Sequence, residues 1–125
     1  LVIDHLGKPD YSEAGFASWA SDIKRLSERK NVFCKISGMV TELPPQNPEA
    51  DELAIDQYLT YLDQVLEQFT PQRLMFGSDW PVCTLTATFE EVYDIMNLYI
   101  GKLSAHEQDL IMGESAALFY NIERV

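Results

Sequence analysis

A chain of 125 residues, 46% of them hydrophobic, is the size of one domain or of part of a larger one, and is apolar enough to fold around a core. Its 20 Asp and Glu against 9 Lys and Arg give a formal charge of −11, a field that repels nucleic-acid phosphates and anionic lipid surfaces, and no basic block offsets it locally. No apolar run approaches the ~20 residues of a membrane-crossing helix, so neither nucleic acid nor membrane is expected as a partner.

The first run, "LVID" (1–4), reads as a strand already under way. It carries no Met and none of the basic start and apolar middle of a signal peptide, so the N-terminal part of the protein is expected to be missing. A helical pattern follows, with Phe16, Trp19, Ile23 and Leu26 on one stripe and Ser12 as its cap. "NVFCKISG" (31–38) is the second strand, and a Pro- and acid-rich loop over residues 39 to 51 comes after it. Tyr58, Leu62, Val65, Leu66 and Phe69 then keep helical phase until Pro71 stops them.

"RLMFGSD" (73–79) is the third strand. Thr88 to Glu91 form a capping box ahead of a helix carrying Phe89, Val92, Met96 and Leu103. A second box, Ser104 to Glu107, opens a helix predicted to end at Gly113, and a last apolar turn spans 116 to 120. Cys34 and Cys83 lie far apart in apolar surroundings and read as buried free thiols, which fits a reducing, cytoplasmic compartment.

The order β-α-β-α-β-α-α argues for an α/β fold with parallel strands and right-handed crossovers. An open three-stranded parallel sheet leaves buried-type edges exposed. The expected architecture is therefore the closing part of a (β/α)8 barrel, with a doubly wound sheet as the alternative.

In either architecture the C-terminal ends of the strands share one rim. Those ends supply Asp4-His5 and Lys8, Ser37-Gly38, and Ser78-Asp79-Trp80. His5 and Asp79 arriving from different strands make a usable acid–base or metal-binding pair. Each also has a plainer reading: His5 as a hydrogen-bonded structural residue, Asp79 as turn chemistry before Trp-Pro. Asp4 is placed beneath His5 as an acceptor of backbone bonds, Lys8 in solvent, and His106 on the surface. Lys35, mid-strand, has to be paired or to have a depressed pKa, so it either salt-bridges inside the barrel or reaches the rim. No G-x-S-x-G, P-loop or H-E-x-x-H pattern is present.

Taken in order, "LVIDHLGKPD", "NVFCKISGMVTE", "RLMFGSDWPVC" and the tail "GESAALFYNI" resemble the last third of the amidohydrolase-related lactonase family. The resemblance implies that residues 1–125 are the C-terminal part, strands six to eight with their helices, of a single (β/α)8 TIM-barrel domain of the metal-dependent hydrolase superfamily. It implies hydrolysis of a small-molecule sugar lactone such as L-fucono- or L-rhamnonolactone. Asp79 would act as general base on water and His5 at the lactone carbonyl, with Trp80 and Ser37 as substrate contacts.

No metal ligand is assigned within this chain and no cofactor is required. The alternative is one divalent metal such as zinc, because the superfamily places ligands at comparable strand ends. The dicarboxylate branch carries an Arg after the second strand block, where this chain has Met39-Val40-Thr41-Glu42, which favours a neutral lactone. Ser115 stands where relatives carry Asn and reads as an exchanged helix cap. The rival readings are a metal-dependent decarboxylase of the same superfamily and a non-catalytic binding module. The segment alone is expected to be inactive, and the pattern carries no signal for oligomeric state.

Overall fold

The structure, a computed structural model, describes residues 1–43 and 55–123. Three strands, β1 (Val2–Ile3), β2 (Phe33–Ile36) and β3 (Leu74–Phe76), form one sheet in the order β1-β2-β3. Both pairings are parallel, with Cys34 opposite Ile3 on one side and Leu74 on the other. The three apolar runs are thus adjacent parallel strands in sequence order, as predicted.

Helix α1 (Glu13–Ser27) joins β1 to β2 and starts where the Ser12 hydroxyl accepts the Gly15 N–H at 3.1 Å. Trp19 and Ile23 on its stripe are buried, and Phe16 and Leu26 pack against the same core. Gly38 opens a short helix, α2 (Met39–Glu42), where a loop was expected; from residue 44 that loop lies outside the described residues. Helix α3 (Ile55–Phe69) buries Tyr58, Leu62, Val65 and Phe69. Pro71 then opens a 3₁₀ turn, Pro71–Arg73, that feeds β3.

The capping box of Thr88 and Glu91 starts α4 (Phe89–Ile100). Two members of its predicted stripe depart from it. Phe89 is half exposed and stacks on Tyr93, and Leu103 lies past the end of the helix, so Tyr99 and Ile100 do the burying there.

The helix predicted to stop at Gly113 runs on, as α5 (Ala105–Asp109), a π turn (Leu110–Glu114) and α6 (Ser115–Tyr120). A stopping glycine adopts a left-handed φ, and Gly113 does not; Asn121, at φ 53°, ends the helix instead. Ser115 is accordingly no cap. Its buried hydroxyl donates to the Pro71 carbonyl at 2.9 Å, tying this helix to the approach of β3.

Alternation along β2 separates two faces. Cys34 and Ile36 point into the main core, where Ile36 borders a small apolar cavity with Tyr58, Leu62 and Met96. Phe33 and Lys35 point the other way and meet α6: Phe33 packs on Phe119 at 5.1 Å between ring centroids, and Lys35 Nζ lies 5.6 Å from the Tyr120 ring.

Candidate active site

The three strands end side by side, and the turn after each one carries a polar side chain to the same place. After β1 the backbone winds through four consecutive left-handed residues, His5, Leu6, Gly7 and Lys8, with φ between 48° and 75°. Such a run is unfavourable for the three that are not glycine, and it persists only where packing over-determines it. Leu6 supplies that packing. Its side chain is fully buried, and its carbonyl accepts the Trp19 indole N–H at 2.7 Å. The sequence places Trp19 in the core, where it is, but no spacing signal announces that its N–H holds the His5 turn.

His5 is consequently presented on its side, with Nδ1 2.8 Å from the Ser37 hydroxyl at the end of β2. Glycine at position 38 makes room for the ring: a Cβ there would meet Nδ1 at 2.7 Å, and φ is 70°. The ring's other nitrogen, Nε2, faces two carboxylates, Asp4 Oδ2 at 3.6 Å and Asp79 Oδ1 at 3.9 Å.

Asp79 follows β3 through Gly77 and Ser78 and is itself left-handed, at φ 58°. Its carbonyl accepts the Cys83 N–H at 2.9 Å, which closes the turn over a buried Cys83. Burial, and then the neighbouring Asp79 carboxylate, push the Cys83 thiol above its ordinary pKa. The thiol therefore stays protonated and inert. His5 and Asp79 side chains are each about one-fifth exposed, open enough for a small ligand to reach both.

Of the four residues singled out in the sequence, His5, Ser37 and Asp79 are brought together. Trp80 is not: its side chain is largely exposed, and its backbone N–H donates to the Ser78 hydroxyl. Asp4 does not sit beneath His5 accepting backbone bonds. It is a mostly exposed carboxylate between His5 and Lys35, whose ammonium lies 3.6 Å from Oδ1. The Tyr120 hydroxyl raises the Lys35 pKa most; burial opposes it and Asp4 adds to it, with a net rise, so this lysine is paired and charged. Lys8 is exposed and pairs with Glu42 at 3.3 Å.

Among the described residues no three His, Cys, Asp or Glu side chains are grouped to hold a metal ion. His5 and Asp79 alone fall short of the three or four protein ligands that zinc takes. No described helix is long and apolar enough to cross a membrane.

The amidohydrolase family profile matches residues 1–122. An L-fucono-1,5-lactonase of Burkholderia multivorans is 41% identical over 96% of this chain, and one of Burkholderia ambifaria 31% identical over 99%. The chain spans 42% of the length of each. A crystal structure of an amidohydrolase from Burkholderia multivorans with bound zinc superposes with a TM-score of 0.88 at 38% identity, over 98% of this chain and 44% of that one.

Proposed function

The chain belongs to the amidohydrolase family, and from that premise we propose that it is the C-terminal part, strands six to eight, of a single (β/α)8 barrel whose whole protein hydrolyses a neutral sugar lactone in the cytoplasm. The observation that carries the reading is the meeting of His5 Nε2 and Asp79 Oδ1, 3.9 Å apart at the rim where β1 and β3 end. Groups that close can serve the two oxygens of one reacting carbon, the carboxylate at the attacking water and the imidazole at the carbonyl oxygen, each at about 2.8 Å. The L-fucono-1,5-lactonases among its relatives support the substrate class.

Ring opening then proceeds on side chains of this chain. The Asp79 carboxylate takes a proton from a water molecule as that water adds to the lactone carbonyl. His5, oriented by Ser37, donates from Nε2 to the carbonyl oxygen as negative charge develops there. The tetrahedral centre collapses with breakage of the ring C–O bond, and the proton held by Asp79 passes to the leaving alkoxide. A neutral substrate fits a rim where Lys35 and Lys8 are already taken up by Asp4 and Glu42, and where Asp79 adds a further negative charge. The described residues do not form a zinc-binding set of their own.

The test is kcat and melting temperature of the whole protein on L-fucono-1,5-lactone and other aldonolactones, with Asp79→Asn and Asp79→Ala. Asparagine tolerates the left-handed φ of this position and keeps the turn, but accepts no proton from water. It is expected to lose on the order of 10²–10⁴ in kcat with little change in stability. Alanine is strained at φ 58° and lowers both. If Asp79 only shapes the turn, asparagine keeps more than about half of kcat, and the proposal fails.

A further inference from the structure

Asp4 has two neighbours, one at each carboxylate oxygen: Lys35 Nζ lies 3.6 Å from Oδ1, and His5 Nε2 lies 3.6 Å from Oδ2. Asp79 Oδ1 stands 3.9 Å from that same Nε2. An imidazole nitrogen carries at most one N–H, so two carboxylates compete for a single donor. Asp4 is the nearer of the two, and its side chain is 62% exposed against 21% for Asp79, so it is the freer to turn. What engages its other end is Lys35, which leaves β2 on the face packed by α6 and is backed by the Tyr120 ring.

We propose that Lys35 is a positioning residue: by engaging Asp4 it keeps that carboxylate from capturing the His5 N–H, leaving Nε2 for the substrate carbonyl. The inference rests on the lactonase reading of the His5–Asp79 site and adds to it a third charged group that touches no reacting atom. An ion pair this open contributes little to stability, so its role shows in rate and not in melting temperature.

The experiment compares Lys35→Met, Lys35→Arg, Asp4→Asn and the Lys35→Met/Asp4→Asn double variant in the whole protein. Lys35→Met is expected to lower kcat by about 10- to 100-fold, the scale of a mis-set catalytic group, with KM and melting temperature nearly unchanged. Lys35→Arg keeps the charge and most of the rate. Asp4→Asn should restore rate in the Lys35→Met background by more than it changes rate in the parent, because it removes the competing carboxylate. A Lys35→Met enzyme at parental kcat, or a double variant no faster than Lys35→Met, overturns the proposal. The ring ¹⁵N signals of His5, assigned by their loss in His5→Asn, supply a readout that needs no turnover. They should move in Lys35→Met and return in the double variant, and unmoved signals also overturn the proposal. A parent protein inactive on every lactone would sink the lactonase reading, while these signals still decide the part played by Lys35.

Discussion

A Cβ at position 38 would stand 2.7 Å from His5 Nδ1 and 2.9 Å from its Cγ, so the imidazole occupies space that only a glycine leaves open. The same position has φ 70°, which disfavours any side chain on its own account. Gly38→Ala is therefore expected to lower stability by about 1–3 kcal/mol through backbone strain. It should also displace the ring, with a loss of kcat on the order of 10²-fold. Melting temperature and kcat together check this. An alanine variant that loses stability but keeps its rate would show that the His5 ring is not where the chemistry happens.

Ser37→Ala removes the hydroxyl 2.8 Å from His5 Nδ1 and little else, since Ser37 is almost completely buried between the strand ends. One hydrogen bond of this kind contributes roughly 0.5–1.5 kcal/mol. If that bond only steadied the fold, kcat would stay at its parental value. If it orients the imidazole, kcat falls by roughly tenfold, equivalent to about 1.4 kcal/mol of transition-state stabilisation. Steady-state kinetics on the whole protein decide between the two.

The strands and the identity of the meeting residues were legible because both follow from local pattern. Apolar runs bounded by Gly and Pro dictate parallel strands, and parallel strands put their C-terminal ends on one rim, so His5, Ser37 and Asp79 converge without any knowledge of their side-chain partners. What could not be read depends on backbone conformation and on contacts across the fold. Gly113 has the composition of a helix stop, yet the left-handed turn falls at Asn121, and the Ser115 hydroxyl between them donates to the Pro71 carbonyl across the fold. Trp80 looks like a pocket wall from its position beside Asp79, but the turn carries its ring outward. Asp4 reads as an acceptor of backbone bonds beneath His5, but the left-handed run from His5 to Lys8 leaves it exposed between His5 and Lys35.

Away from the site, Asp63 on α3 accepts the Tyr99 hydroxyl at 2.7 Å and the Lys102 ammonium at 3.1 Å, linking α3 to the end of α4. Tyr99 and then Lys102 hold the carboxyl below its ordinary range, while burial and then Asp63 push the Tyr99 phenol upward. A carboxyl whose folded pKa is depressed adds stability that is fully present above its unfolded pKa and lost as pH falls through the folded one. The melting-temperature difference between the parent and Asp63→Asn should therefore be steady at neutral pH and shrink below about pH 4, the ordinary carboxylate range. A difference that instead grows in acid would mean that Asp63 is not the titrating partner.

Arg73, just ahead of β3, offers the complementary test, because it works at the opposite ends of the strands. Its guanidinium donates to the carbonyls of Arg29 and Val32 at 3.1 and 3.0 Å and to that of Ser27 at 2.9 Å, while lying over the Phe69 ring. It thereby ties the exit of α1 and the approach to β2 to the approach to β3. A planar fork can serve three carbonyls at once, whereas an ammonium on a flexible stem keeps the charge without the fork. Arg73→Met retains contact with Phe69 and leaves all three carbonyls without this donor, for a loss of about 2 kcal/mol or more. Arg73→Lys should fall between the two. Neither should change kcat at temperatures where the protein is folded, since the His5, Ser37 and Asp79 turns leave from the other ends of the same strands, the division of labour expected of a barrel with chemistry on one rim. Thermal melts alongside kcat measured well below the transition check both halves. A rate that drops in step with stability would show that the two ends of the sheet are not independent.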